Sequence, residues 1–134
     1  MKLSLIVPCY NEEGNVRKFF DCVNTAFENK IEDFEFVFVN DGSKDNTRAR
    51  LKELLHEVNK NIKIVDFSRN FGKEAAIFAG LQNAEGDLVT IIDADLQQRP
   101  EIVVDMVAFL DEHPEYDCVA AFQEKRIEGK AMSF

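Results

Sequence analysis

The chain has 134 residues, 46% of them hydrophobic and 31% charged, which suits one globular domain with a buried core. Twenty-five acidic against 16 basic residues give a formal net charge of −9, and this excludes a general nucleic-acid-binding surface, which needs a basic stripe. A polyanionic ligand would have to be gripped by a local device, such as a metal ion or backbone N–H groups, and the apolar N-terminus Met1–Val7 is too short for a signal peptide or a membrane span.

In chain order, Leu3–Val7 reads as a strand stopped by Pro8. Val16, Phe19, Phe20, Val23 and Phe27 then recur at helical spacing and define one apolar face. Phe34–Val39 is a β-rich run ended by the turn signal Asn40-Asp41-Gly42-Ser43. Ser43 or Asp45 can cap the next helix, whose core face is Leu51, Leu54, Leu55 and Val58. Ile62–Phe67 is a third strand, Arg69–Lys73 a polar loop and Glu74–Gln82 a short helix. Leu88–Ile92 is a fourth strand, apolar enough to be covered on both faces. Pro100 suits the first turn of a fourth helix with Val103, Met106, Val107 and Leu110 inward. Cys118–Phe122 reads as a fifth strand, and Gln123–Phe134 carries no clear signal. Cys9, Cys22 and Cys118 lack metal-ligand spacing and read as buried thiols of a reducing compartment.

Strand–helix alternation of this kind predicts an α/β fold: a Rossmann-like, mostly parallel open sheet with helices on both faces. Such sheets bind ligands at the carboxyl ends of their strands. The binding edge is therefore made by the segments directly after the strands, and all four are polar: Pro8–Glu12, Asn40–Ser43, Ser68–Lys73 and Asp93–Gln97. Asp93 and Asp95, two apart in an extended segment, point to one side across the small Ala94. Two carboxylates at one point need a counter-charge, and a hard divalent cation supplies it with coordination positions left for phosphate oxygens. Gln97 stands at the next same-side position and can add an oxygen. The plainer alternative is an acidic helix start ahead of Pro100.

Asp41 either accepts hydrogen bonds from a base or ribose or belongs to a plain turn and helix cap. Tyr10 can stack on a base and Glu12 can accept a hydrogen bond, or both are ordinary loop residues. Arg69 and Lys73 are the main cations of this edge, Lys73 at a helix start where an anion is also favoured by the backbone. Arg126, beside Lys125, either reaches a phosphate or is a solvated tail residue. His56 and His113 fall on helices away from this edge and read as structural or surface residues.

These segments resemble family 2 glycosyltransferases. Ile6–Glu13, Val39–Asp45 and Ile92–Gln97 stand in that family's order and spacing. Ser68–Ala76 is similar to the polyprenyl-phosphate branch, that of dolichyl-phosphate mannose synthase and the bactoprenol glucosyltransferases. The resemblance implies a GT-A fold, Mg2+ or Mn2+, and inversion at the sugar carbon. It implies nucleoside contacts from Pro8, Tyr10, Glu12, Val39 and Asp41, and metal and diphosphate contacts from Asp93, Ala94, Asp95 and Gln97. Many members carry an Arg where this chain has Gln123, while Arg126 keeps the second basic position. The expected function is transfer of a hexose from a UDP- or GDP-linked donor to a polyprenyl phosphate at the cytoplasmic membrane face. The alternatives are transfer to a polysaccharide or glycan, or a non-catalytic nucleotide-binding module. Because the family's catalytic domain runs past residue 134, residues 1–134 are expected to be its nucleotide-sugar-binding portion, ending before the acceptor part. Membrane association is expected through that absent region.

Overall fold

The computed structural model describes residues 1–58, 61–120, 125–127 and 130–132, with side chains up to Ala120. Four strands, β1 (Leu3–Cys9), β2 (Phe34–Asn40), β3 (Ile62–Asp66) and β4 (Leu88–Ile91), form one sheet in the order β3-β2-β1-β4, and all neighbours are parallel. Four helices connect or follow them: α1 (Val16–Phe27), α2 (Thr47–Val58), α3 (Lys73–Asn83) and α4 (Pro100–Glu112). The chain thus winds outward from β1 to β3 and then crosses back to lay β4 on the other side of β1. That reversal opens a crevice between the carboxyl ends of β1 and β4, where doubly wound sheets take their ligands.

Alternation along the strands decides which helix covers which face. Leu3, Leu5, Val7 and Cys9 of β1 and Phe34, Phe36 and Phe38 of β2 join the core shared with α1, α2 and α4. Every apolar residue predicted for the face of α1 is buried. Phe19 sets its ring edge-on to both Phe36 and Phe38, with centroids 6.3 Å away in each case. On the opposite face α3 packs over β1 and β2. A Cβ on Gly80 would stand 2.4 Å from Cγ2 of Ile6, so a glycine there lets α3 lie directly on the sheet.

The sheet departs from the sequence-based expectation at several points. Pro8 does not stop β1, which continues to Cys9. The Ile92 N–H donates to the Ile6 carbonyl, so the even-numbered residues of β1 face β4. β4 ends at Ile91, opposite Ile6, and the N–H that Pro8 lacks has no strand to meet. Among the described residues β4 stands at the edge of the sheet and is not covered on both faces. Val89 and Ile91 are exposed, because α3 sits over β1 and β2 and leaves β4 bare on that side. Leu55 of α2 is exposed as well, and so are Cys22 and Cys118; only Cys9 of the three thiols is buried. Residues 118–120 form no strand, and the remainder of that predicted strand, with Gln123, lies outside the described residues. The tail instead pairs β5 (Lys125–Ile127) with β6 (Lys130–Met132) as an antiparallel ribbon. Asp45 rather than Ser43 caps α2, its carboxylate accepting the Thr47 N–H at 2.9 Å. His56 and His113 lie away from the strand ends, and His113 bonds the Phe109 carbonyl.

At the amino ends of the strands, a buried acid ties the α3–β4 connection down. Glu35 accepts hydrogen bonds from the Ser4 hydroxyl at 2.6 Å and the Glu85 N–H at 2.7 Å, and pairs with Lys63 at 3.2 Å. Burial by itself would raise its pKa, but the Ser4, Glu85 and Lys63 contacts outweigh burial and lower it. A carboxylate lowered on folding stabilises the fold above the ordinary carboxylate range, and that contribution is lost as pH falls through the lowered value. Glu35→Gln is therefore expected to be less stable than the parent at pH 7 by about 1–3 kcal/mol. Between pH 5 and pH 3 it is expected to lose less further stability than the parent, as measured by urea unfolding across pH. Parallel pH profiles of the two proteins would count against this role.

Candidate active site

The polar strand ends meet where the topology places them. A cavity of about 240 Å³ opens at the β1/β4 crevice. The end of β1 supplies Pro8, Cys9, Tyr10 and Glu12; that of β2 supplies Asp41; the start of α3 supplies Lys73; and the segment after β4 supplies Asp93, Ala94 and Asp95.

Two of these strand ends are locked together by backbone N–H groups donating to side chains across the gap. Asn11 takes a left-handed backbone (φ 53°), its N–H donates to the Ser43 hydroxyl and its side-chain oxygen accepts the Lys44 N–H. The Glu12 N–H donates to the buried Thr47 hydroxyl at 2.8 Å, and that hydroxyl donates to Asp45. A third loop is held by Asp41. One of its carboxylate oxygens accepts the Phe71 N–H at 2.7 Å, and the other accepts the Gly72 N–H and the Asn70 side-chain amide, each at 3.1 Å. Asp41 is thus buried and already hydrogen-bonded to residues 70–72, and it fixes where α3 begins. Asn11, Ser43, Thr47 and Asn70 do not stand out as site residues in the sequence. The available signal is weak: two Asn residues in loops that require tight backbone turns.

Asp93 and Asp95 reach one cavity, though not through an extended segment. The chain turns at Ala94, which is buried in the core, and Leu96 adopts a left-handed backbone (φ 64°). A leucine held there is strained and persists only because its surroundings fix it, here by packing of its side chain on the core. The turn breaks the expected alternation. Gln97 is exposed and does not line the cavity; its backbone N–H donates to Asp95 Oδ1 at 3.2 Å. Val39 is fully buried and Arg69 lies with its guanidinium 4.2 Å from the Phe71 ring centroid; neither lines the cavity. Arg126 belongs to β5, opposite Ala131, and its side chain lies outside the described residues.

Charge in the cavity is unbalanced toward the acidic. Among the described residues, Glu12, Asp41, Asp93 and Asp95 face a single lining cation, Lys73, whose Nζ lies 2.9 Å from Asp93 Oδ1 and 3.1 Å from Oδ2. Cys9 is buried, and burial first, then Glu12 and Asp93, push its thiol far up, so it stays protonated and is no nucleophile. The donor set suits a hard cation. Among the described residues no group of three or more His, Cys, Asp or Glu side chains forms a closed metal cage. Two carboxylates on an open cavity fit the mode in which Mg2+ or Mn2+ takes one or two protein oxygens and completes its shell with phosphate and water.

A parallel β3-β2-β1-β4 sheet with an acidic pair just past β4 has the architecture of GT-A glycosyltransferase structures. The fold is similar to that of S. aureus TarS 1–349 in complex with UDP-GlcNAc, with a TM-score of 0.68 and 30% identity over 85% of this chain and 32% of that one. It is also similar to the mannosyltransferase PcManGT from Pyrobaculum calidifontis in complex with GDP-Man and Mn2+, with a TM-score of 0.71 and 25% identity over 81% of this chain and 32% of that one. The chain belongs to glycosyl transferase family 2, whose family model matches residues 4–133. Curated relatives include the uncharacterized glycosyltransferases YkcC of Bacillus subtilis, 39% identical over 94% of this chain, and sll0501 of Synechocystis sp., 43% identical over 94%. The chain spans 38% and 39% of their respective lengths.

Proposed function

We propose that residues 1–134 are the donor-binding portion of an inverting glycosyltransferase, and that this cavity takes the diphosphate of a UDP- or GDP-linked hexose with Mg2+ or Mn2+ at Asp93 and Asp95. The single observation that carries this reading is the meeting of Asp93, Asp95 and Lys73 in one cavity at the β1/β4 crevice. A bound cation would neutralise charge on the departing nucleoside diphosphate. The chain's own residues do the rest. Tyr10, partly exposed beside Pro8, offers a ring face to the base. Lys73 offers an ammonium to a phosphate oxygen. Asp41 orients the loop that delivers Lys73. The donors present in the TarS and PcManGT complexes support the class of ligand.

For the acceptor we propose a polyprenyl phosphate at the cytoplasmic membrane face, supported by the Ser68–Ala76 segment, which here forms the loop that Asp41 holds and the start of α3. A lipid phosphate is already an anionic nucleophile and needs no general base. No helix among the described residues is long and apolar enough to cross a membrane. The test has two arms. Calorimetric titration of UDP and GDP into the chain is expected to show binding with Mn2+ that is lost in chelator. A protein of the relatives' full length is expected to glycosylate a polyprenyl phosphate. Binding indifferent to Mn2+ would remove the cation from the reading, and transfer to soluble glycans alone would replace the lipid acceptor.

A further inference from the structure

Building on the donor-site reading, we propose that Lys73 is the place-holder of the cation position. Its ammonium keeps free divalent ions off Asp93 until a diphosphate draws it away. Lys73 is the only cation among the described residues that lines the cavity, and it contacts both oxygens of Asp93. Asp95, in the same cavity, has no cationic partner among them. Arg69, on the loop just before Lys73, is engaged on the Phe71 ring. An ammonium across both oxygens takes one lone pair on each and neutralises the charge a metal would use, so cation and Lys73 compete for one carboxylate.

The backbone and side chain of Lys73 suit an exchange. Its backbone is fixed, because the preceding Gly72 N–H is tied to Asp41. Its four-carbon side chain is 59% exposed and can turn about that fixed point. Exposed ion pairs are weak, so a diphosphate with more than one negative charge outcompetes a single carboxylate for the ammonium. When Lys73 moves to a phosphate oxygen, Asp93 is released to the incoming cation. Cation and nucleotide are therefore coupled through the protein, in addition to their own affinity for each other. The site avoids loading a divalent ion with no donor present.

The test reads metal binding directly. Free Mn2+ is counted by electron paramagnetic resonance as it is titrated into the 134-residue chain without nucleotide. Lys73→Met and Lys73→Gln are each expected to bind Mn2+ about three- to five-fold more tightly than the parent, the upper span of an exposed ion pair. Both are expected to bind UDP or GDP less tightly in saturating Mn2+. Arg69→Met, which removes a cation not paired with Asp93, is expected to leave Mn2+ affinity within about two-fold, as screening of a more distant charge requires. If the Lys73 variants bind Mn2+ no better than the parent while Mn2+-dependent nucleotide binding persists, the place-holder role is wrong and the donor site stands. If Arg69→Met tightens Mn2+ binding as much as Lys73→Met, the effect is one of general charge and the exchange is again overturned. If no form binds Mn2+ with or without nucleotide, the place-holder and the donor-site reading fall together.

Discussion

Asp95→Asn is expected to remove the Mn2+-dependent component of UDP or GDP binding while leaving the fold intact. Asp95 is exposed, and its one hydrogen bond among the described residues, from the Gln97 N–H, is to an oxygen that asparagine retains. A surface change of this kind alters stability by no more than about 0.5 kcal/mol, so the melting temperature serves as the control. On the proposed reading, a bound cation would lose one of two anionic protein oxygens. Changes to groups that merely support metal ligands cost about 10–100-fold in affinity, so loss of a ligand charge is expected to cost at least about 100-fold. Calorimetry in Mn2+ and in chelator separates the two components. Unchanged affinity in Asp95→Asn would mean that Asp95 holds no cation.

Gly42→Ala is expected to be the most damaging glycine-to-alanine change among the described residues. Gly42 has φ +65°, and a Cβ there would stand 2.1 Å from the Arg69 carbonyl carbon and 2.2 Å from the Asn70 nitrogen. Both are backbone atoms, so the 69–72 segment must move as a whole. The neighbouring Asp41 holds that segment through Asn70, Phe71 and Gly72, so relief of the clash breaks those bonds. Left-handed strain adds about 1–2 kcal/mol. The expected total is about 3–4 kcal/mol, at the upper end for a point change. In a domain of this size that lowers the melting temperature by roughly 10 °C or more. Nucleotide binding should fall with it, because Lys73 comes directly after the displaced loop. Gly14→Ala makes the comparison: a Cβ there meets nothing within 4 Å and φ is ordinary, so its melting point should match the parent's. A Gly42→Ala protein melting alongside Gly14→Ala would show that the two loops are not packed as described.

The difference between the legible and the hidden parts of the sequence comes from the range of the interactions. The face of α1 is legible because five apolar residues repeat at helical spacing and each is buried as that spacing predicts. The four strand ends are legible because turn-forming residues punctuate apolar runs, and the parallel sheet then brings Tyr10, Asp41, Lys73 and Asp95 to one cavity. Neighbour relations are not legible. Pro8 reads as a stop, and only the length of β4 beside it explains why the strand goes on. Leu88–Ile92 reads as a covered strand, and the position of α3 over β1 and β2 leaves Val89 and Ile91 bare. Asp93 and Asp95 do share a cavity, but by a turn with a left-handed leucine rather than by strand alternation, and the same turn leaves Gln97 outside. Val39 and Arg69 fall out of the cavity for a related reason: one faces the packed interior and the other stacks on an aromatic ring beside the loop.

The cross-linking of the loops after β1 and β2 also sets how the entropy of binding is distributed. Tyr10 and Glu12 sit on a segment clamped to residues 43–47 by four hydrogen bonds, and Asp41 clamps the next loop. This jaw of the cavity is preorganised, so a ligand seated against it has little backbone left to order. On the opposite jaw, residues 93–99, Ala94 and Leu96 pack on the core, while among the described residues the Asp93 and Asp95 side chains have only the Lys73–Asp93 pair and the bond from the Gln97 N–H. On the proposed reading, the conformational cost of binding a donor would fall on the Asp93 and Asp95 side chains, with the cross-linked loops after β1 and β2 as the fixed side of the cavity.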